Sequence, residues 1–264
     1  MYKIEDLITD KNRELFNQVD KKYKVKLEKS SGDTWGFKIV DGFGIITYVE
    51  TNYPESCFVH ELLHLDTQLH GYRNLKYGFS DAFMNEELVG IIKALDNELQ
   101  HHKMFTKYIE LGYDEKEFYI DSDSETYQKL KSYIKNHKYQ PAQRFVQYLS
   151  LLAPGGTLND KQILFLDEAF KKLDKNAYRG FFENIQKVIK DWTNDESYDA
   201  EPYLKRLFEV IYDGDKTWFG YGSPDEFPEN GFFVGEEFEI DPLEDSPISF
   251  SFEGEGFDID LNEV

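Results

Sequence analysis

The chain has 264 residues, 40% hydrophobic and 16% aromatic, and carries a formal net charge of −21 at neutral pH. That apolar content argues for a folded core and against disorder, and the length suffices for one large or two smaller domains. The acidic balance argues against direct nucleic-acid binding, which needs a basic footprint, and a lone cysteine, Cys57, excludes both a disulfide framework and a cysteine-rich zinc site.

The start, Met1 to Leu7, lacks the basic and apolar pattern of a signal peptide, and no run approaches 18 apolar residues. A soluble, cytoplasmic chain with no membrane contact is therefore expected. Ile4, Leu7, Ile8, Phe16 and Val19 predict one amphipathic helix from Ile4 to about Tyr23. Trp35 to Val49 then holds two β-rich runs around Asp41-Gly42, a hairpin signal because a tight turn needs left-handed backbone there. A helix follows from Pro54, whose missing N–H suits a first turn, with Phe58, Leu62, Leu65 and Leu69 as its core stripe and Gly71 as its stop. Residues 72–79 read as a connecting loop, after which Ser80 or Asp81 caps a second long helix to about Leu111.

Beyond Gly112 the pattern is repeatedly helical: Ser124 to Ile134, Pro141 to Leu152, Asp160 to Leu173, Ala177 to Trp192 and Pro202 to Tyr212. From Asp213 to Val264 there are 16 acidic residues and one basic residue, Lys216, so this stretch carries most of the net charge. Phenylalanines alternate with acids and serines in Ile248 to Glu253 and Phe257 to Leu261, which predicts strands. The expected fold class is α+β, mostly helical. It has a metal-binding domain over 1–112 built on a small sheet and two helices, a helical domain over 113–212 and an acidic aromatic region over 213–264.

The chemistry is concentrated in His60-Glu61-Leu62-Leu63-His64. On a helix this H-E-x-x-H pattern puts two imidazoles one turn apart on one face, able to share a zinc ion, with the glutamate beside a metal-bound water. A catalytic zinc needs a third protein ligand. His70 is an unsuitable one, because on an unbroken helix it stands about 9 Å further along and roughly 240° round from His64. On the second helix, Glu98 and His102 fall within the apolar stripe of Met84, Leu88, Ile91, Ile92, Leu95 and Leu99. Polar groups there cost several kcal/mol unless satisfied, and a metal held by the neighbouring helix would satisfy them. His101, His102 and Glu87 are the alternative third ligands, and Cys57 is a small core residue on the histidines' face.

His60-Glu61-x-x-His64 followed by Asn97-Glu98-x-x-x-His102 resembles the gluzincin type of the zincin metallopeptidases, with H-E-x-x-H on one helix and N-E-x-x-x-D on the next. Gly44-Ile-Ile-Thr-Tyr48 also resembles the edge strand of compact zincins, including the ImmA/IrrE-like group. The resemblance spans about Trp35 to Leu111. It implies that His60, His64 and Glu98 bind Zn2+ and that Glu61 is the general base. His102 stands where that family has aspartate, in a supporting or oxyanion-stabilising role; His101, Tyr72, Arg73 and Tyr77 are further candidates to face the oxyanion. The implied function is a cytoplasmic zinc metallopeptidase acting on a protein or peptide. The alternative is a non-enzymatic zincin-like protein that binds or regulates through its acidic C-terminal region, and −15 there also suggests a nucleic-acid mimic.

Overall fold

A computed structural model of the chain describes residues 2–80, 85–119, 127–136, 141–156, 158–173, 180–211, 217–221, 231–233 and 248–251. It is α+β and mostly helical, as the sequence predicts. Where one N-terminal helix is expected there are two, α1 (Ile4–Leu7) and α2 (Arg13–Tyr23). Asn12 makes the break. Fully buried, its side chain accepts from the Thr9 N–H at 3.0 Å and donates to the Leu7 carbonyl at 2.9 Å and the Tyr113 hydroxyl at 3.1 Å. An asparagine that takes up local backbone groups competes with helix continuation. Asn12→Ala should therefore destabilise the fold by about 1–3 kcal/mol, the cost of leaving buried partners unsatisfied. Thermal unfolding checks this; an unchanged melting temperature would remove Asn12 from that role.

Strands β1 (Lys26–Lys29), β2 (Gly36–Val40) and β3 (Phe43–Tyr48) form a mixed sheet in the order β1-β3-β2, β1 parallel and β2 antiparallel to β3. The turn is where Asp41-Gly42 predicts it: both residues have positive φ, 50° and 78°, the requirement of a two-residue hairpin whose twist matches its strands. Ile46 and Tyr48 on β3 are buried. At Gly44 an added Cβ would come within 2.8 Å of the Leu65 side chain, so glycine lets this strand lie close on the next helix.

That helix is α3 (Pro54–Leu69). Gly71, at φ 104°, closes it: the Gly71 N–H bonds the Gln68 carbonyl and the Tyr72 N–H bonds the Thr67 carbonyl, a Schellman pattern open to glycine above all. Every residue from Ser56 to Thr67 is buried, not only the expected stripe. A helix apolar on one face but buried on all sides lies at the centre of its unit, and α3 packs against the sheet, α2 and the next long helix together.

The stretch read as a connecting loop contains a strand, β4 (Tyr77–Ser80), so Ser80 is a strand residue and not a helix cap. The Asp81 cap lies outside the described residues. Strand β4 is flanked by β5 (Thr217–Gly220), antiparallel, and β7 (Ile248–Ser251), parallel; β6 (Gly231–Phe233) extends the sheet beyond β5. The acidic region thus supplies three strands to a sheet that an N-terminal strand joins. The strand expected at 257–261 lies outside the described residues.

Helices α4 (Asn85–Glu110), α5 (Tyr127–Asn136), α6 (Pro141–Leu152), α7 (Asp160–Leu173), α8 (Phe181–Asn194) and α9 (Glu201–Ile211) complete the fold, with a short 3-10 turn at Glu115–Glu117. Two apolar cores meet along α4. One gathers α1, α2, the first sheet, α3, Met104, Tyr108, Phe118 and Tyr119; the other gathers Tyr72, Leu75, Ile92, Leu95 and Leu99 with α5 to α9, Phe219 and Tyr221. Leu99 and His101 are separated by roughly 160° around a helix of about 100° per residue. So α4 carries two buried faces, and they divide the core side from the site side. No helix among the described residues is long and apolar enough to cross a membrane.

Candidate metal centre

Helix α3 presents His60 and His64 one turn apart, and α4 crosses it to bring His101 between them. One ring nitrogen of each lies within 4.8 Å of the others, and the ring centroids form a near-equilateral triangle with sides of 5.1, 4.9 and 5.2 Å. All three side chains are buried, at 5, 4 and 1% exposure. Burial, reinforced by the neighbouring imidazoles at His60 and His64, depresses their basicity: His64 and His101 fall to about 3, and His60 falls well below its ordinary value. They are therefore neutral at physiological pH, which is the form that binds metal. Three imidazoles in this arrangement can hold a metal ion.

The hydrogen bonds orient the rings. His64 Nδ1 is 3.2 Å from Gln100 Oε1, which also accepts from Thr67 Oγ1 at 2.9 Å and Gln68 Nε2 at 3.3 Å. With Nδ1 engaged, Nε2 is the nitrogen that His64 has to offer. His101 Nδ1 is likewise engaged by the Tyr119 hydroxyl at 2.6 Å, whereas its Nε2 is buried without a hydrogen-bond partner, as is Nδ1 of His60. A buried, unsatisfied polar group costs about 1–3 kcal/mol. Two such nitrogens in one histidine cluster fit a bound cation, which would satisfy both.

The surroundings are aromatic. Phe37 stacks on His64 at 4.7 Å and 11° between planes, Phe118 packs on His60 at 4.7 Å and on His101 at 5.4 Å, and Tyr119 lies edge-on to His101 at 4.8 Å. An apolar shell of this kind limits solvent access and lowers the local dielectric. Glu61, buried beside His60, occupies the position after the first ligand that the H-E-x-x-H pattern assigns to a base.

Of the other predicted residues, Glu98 and His102 stand one turn apart on α4 to one side of His101. Glu98 is outside the three-residue group but adjoins it: its Oε2 accepts from the Tyr119 hydroxyl at 3.2 Å and lies 3.7 Å from His101 Nδ1, and burial pushes its carboxyl up to about 7. His102 is turned towards α8, Nδ1 3.2 Å from Thr193 Oγ1; burial lowers it to about 4 against the opposing pull of Glu98. His70 caps α3, 2.8 Å from the Asp66 carbonyl, and stacks on Tyr198, away from the other histidines. Tyr72 donates to Asp96 in the other core, and Arg73 is exposed, lying over the Tyr221 ring. Cys57 is buried in the apolar core around α3. The side chains of Tyr77 and Glu87 lie outside the described residues.

Wheel analysis of α4 favours Glu98 and His102 because it assumes one apolar stripe. His101 with Met104 at i+3 and Tyr108 at i+7 defines the second stripe, and that spacing is the sequence signal pointing to His101.

Acid should unfold the metal-free protein through this centre. His60, His64, His101 and His102 titrate below their unfolded value of about 6.5, so the unfolded chain takes up protons that the folded one refuses and stability falls as pH drops from about 6.5 towards 4. Glu98 and Asp96, raised by burial to about 7 and 8, act with the opposite sign, losing stability as pH rises towards those values. With four histidines against two carboxyls, the melting temperature of chelator-treated protein should climb between pH 4.5 and 6.5. A flat or falling trend there would contradict the buried neutral cluster.

The fold and site define an α+β protein with an H-E-x-x-H helix and a buried three-histidine group able to hold a metal ion. Comparison with family models, characterised protein sequences and solved structures gives no match.

Proposed function

We propose that the chain is a zinc-dependent hydrolase, a metallopeptidase in which His60, His64 and His101 hold the ion and Glu61 is the general base. The observation that carries the reading is the convergence of both H-E-x-x-H histidines with a third buried histidine, two of the three presenting a nitrogen with no other partner. Three neutral imidazoles without a thiolate suit zinc, and a three-histidine set keeps a fourth position for water or substrate, as catalytic zinc sites do. Zinc, when bound, supplies a Lewis acid that lowers the pKa of water towards about 7. The carboxylate of Glu61 accepts the proton of the attacking water and returns it to the leaving amine. Phe37, Phe118 and Tyr119 keep bulk water from the ligands, and Gln100 fixes the tautomer of His64.

One observation favours a second reading, a closed centre that is not catalytic: all three histidines are almost fully buried, His60 and His101 against Phe118 and Tyr119 and His64 against Phe37. An ion sealed off by side chains in this way is screened from solvent and from a peptide substrate. The two readings part on one experiment. Purified protein is analysed for metal and assayed on a mixed peptide substrate before and after chelation. The hydrolase reading expects one zinc per chain and a hydrolysis that chelation abolishes and zinc restores. Stoichiometric zinc with no hydrolysis of any peptide supports the closed centre, and protein without metal overturns both.

A further inference from the structure

We infer that Tyr119 and Glu98 act as a positioning pair for His101, so that the acid which the sequence places in the ligand set serves one step behind it. The inference rests on the proposed metal site. Tyr119 is not a helical neighbour of His101; it comes from the chain after the 3-10 turn at Glu115–Glu117 and places its hydroxyl 2.6 Å from His101 Nδ1 and 3.2 Å from Glu98 Oε2. One proton assignment joins the three groups to a metal held by His101. If Nε2 of His101, buried and without a partner, is the ligating atom, Nδ1 must carry the hydrogen of the neutral imidazole, and Tyr119 oxygen accepts it. The Tyr119 hydroxyl donates to Glu98 Oε2, which accepts it as a carboxylate. The chain His101 Nδ1–H to Tyr119 O–H to Glu98 Oε2 fixes both the tautomer and the ring plane. Asn97 stands beside the pair, its Nδ2 3.4 Å from His101 Nδ1.

A carboxylate that orients a ligand histidine is a common outer-shell device for metal sites; here a tyrosine is interposed, bridging the gap between Glu98 and the ring. Gln100 performs the equivalent task at His64 from the same helix. His101, Tyr119, Glu98, Gln100 and His64 are buried, so these bonds are protected from water that would otherwise compete for them.

The test uses the full chain. Zinc affinity is measured by chelator competition for wild type, Tyr119→Phe and Glu98→Gln, with circular dichroism as the folding control and the visible spectrum of the cobalt-substituted protein as a ligand-geometry readout. Tyr119→Phe keeps the ring packing on Phe118 and His101 and removes only the hydroxyl. It should keep one ion per chain, weaken affinity by roughly 10–100-fold and shift the cobalt spectrum; Glu98→Gln should weaken affinity in the same direction with stoichiometry intact. Wild-type affinity and an unchanged cobalt spectrum in Tyr119→Phe would overturn the pairing. Loss of stoichiometric metal in Glu98→Gln would overturn it differently, by making Glu98 a direct ligand. A wild-type chain that binds no zinc would instead remove the metal site itself, a failure distinct from either.

Discussion

Replacing His101 with alanine is expected to abolish stoichiometric metal binding, the largest effect of any single change on α4. Two histidines one turn apart hold zinc weakly; the third ligand closes the set. His101 is 1% exposed, and its ring lies 4.9 and 5.2 Å from those of His60 and His64, so removing it leaves only the two histidines of α3. The loss should exceed the roughly 10–100-fold that an outer-shell change produces. The informative control is His102→Ala, which removes the adjacent imidazole on the face turned to Thr193 and should leave metal content intact. Metal analysis of the two purified variants decides between them. If His102→Ala loses the ion and His101→Ala keeps it, the assignment of the α4 ligand is wrong.

The second large effect is expected at Glu61. Glu61→Gln preserves the shape of the side chain and the two flanking histidines, so one zinc per chain should remain. Hydrolysis should fall by about 10²- to 10⁴-fold, the usual contribution of a positioned general base. Turnover at the wild-type rate with metal retained would place the base elsewhere or indicate that the measured activity does not arise at this centre.

The parts of this protein that local chemistry dictates are legible in its sequence. Asp41-Gly42 specifies its hairpin because few other residues accept two successive positive φ angles, Pro54 and Gly71 bracket α3, and the ranges expected for α6 and α7 match the helices end to end. Legibility ends where partners are distant in sequence. Strand β4 is four residues long, too short to show alternation, and it exists because β5 and β7, far along the chain, pair with it. At the break between α1 and α2, Asn12 takes up local backbone groups, but the Tyr113 hydroxyl that also receives its amide is a long-range partner. The site divides in the same way. His60, Glu61 and His64 are carried by a local motif, whereas the companion residue on α4 depends on how that helix is rotated between two cores. A one-stripe reading turns Glu98 and His102 inward together; the two-sided burial of α4 turns His101 to α3 and leaves Glu98 beside it, with His102, one turn on from Glu98, reaching Thr193 instead.

The most direct measurement is X-ray absorption at the zinc edge on the purified, metal-loaded protein. The account predicts a first shell in which three imidazole nitrogens, from His60, His64 and His101, are joined by one oxygen of water. Two imidazoles with a protein carboxylate, or a chain that takes up no metal at all, would contradict it.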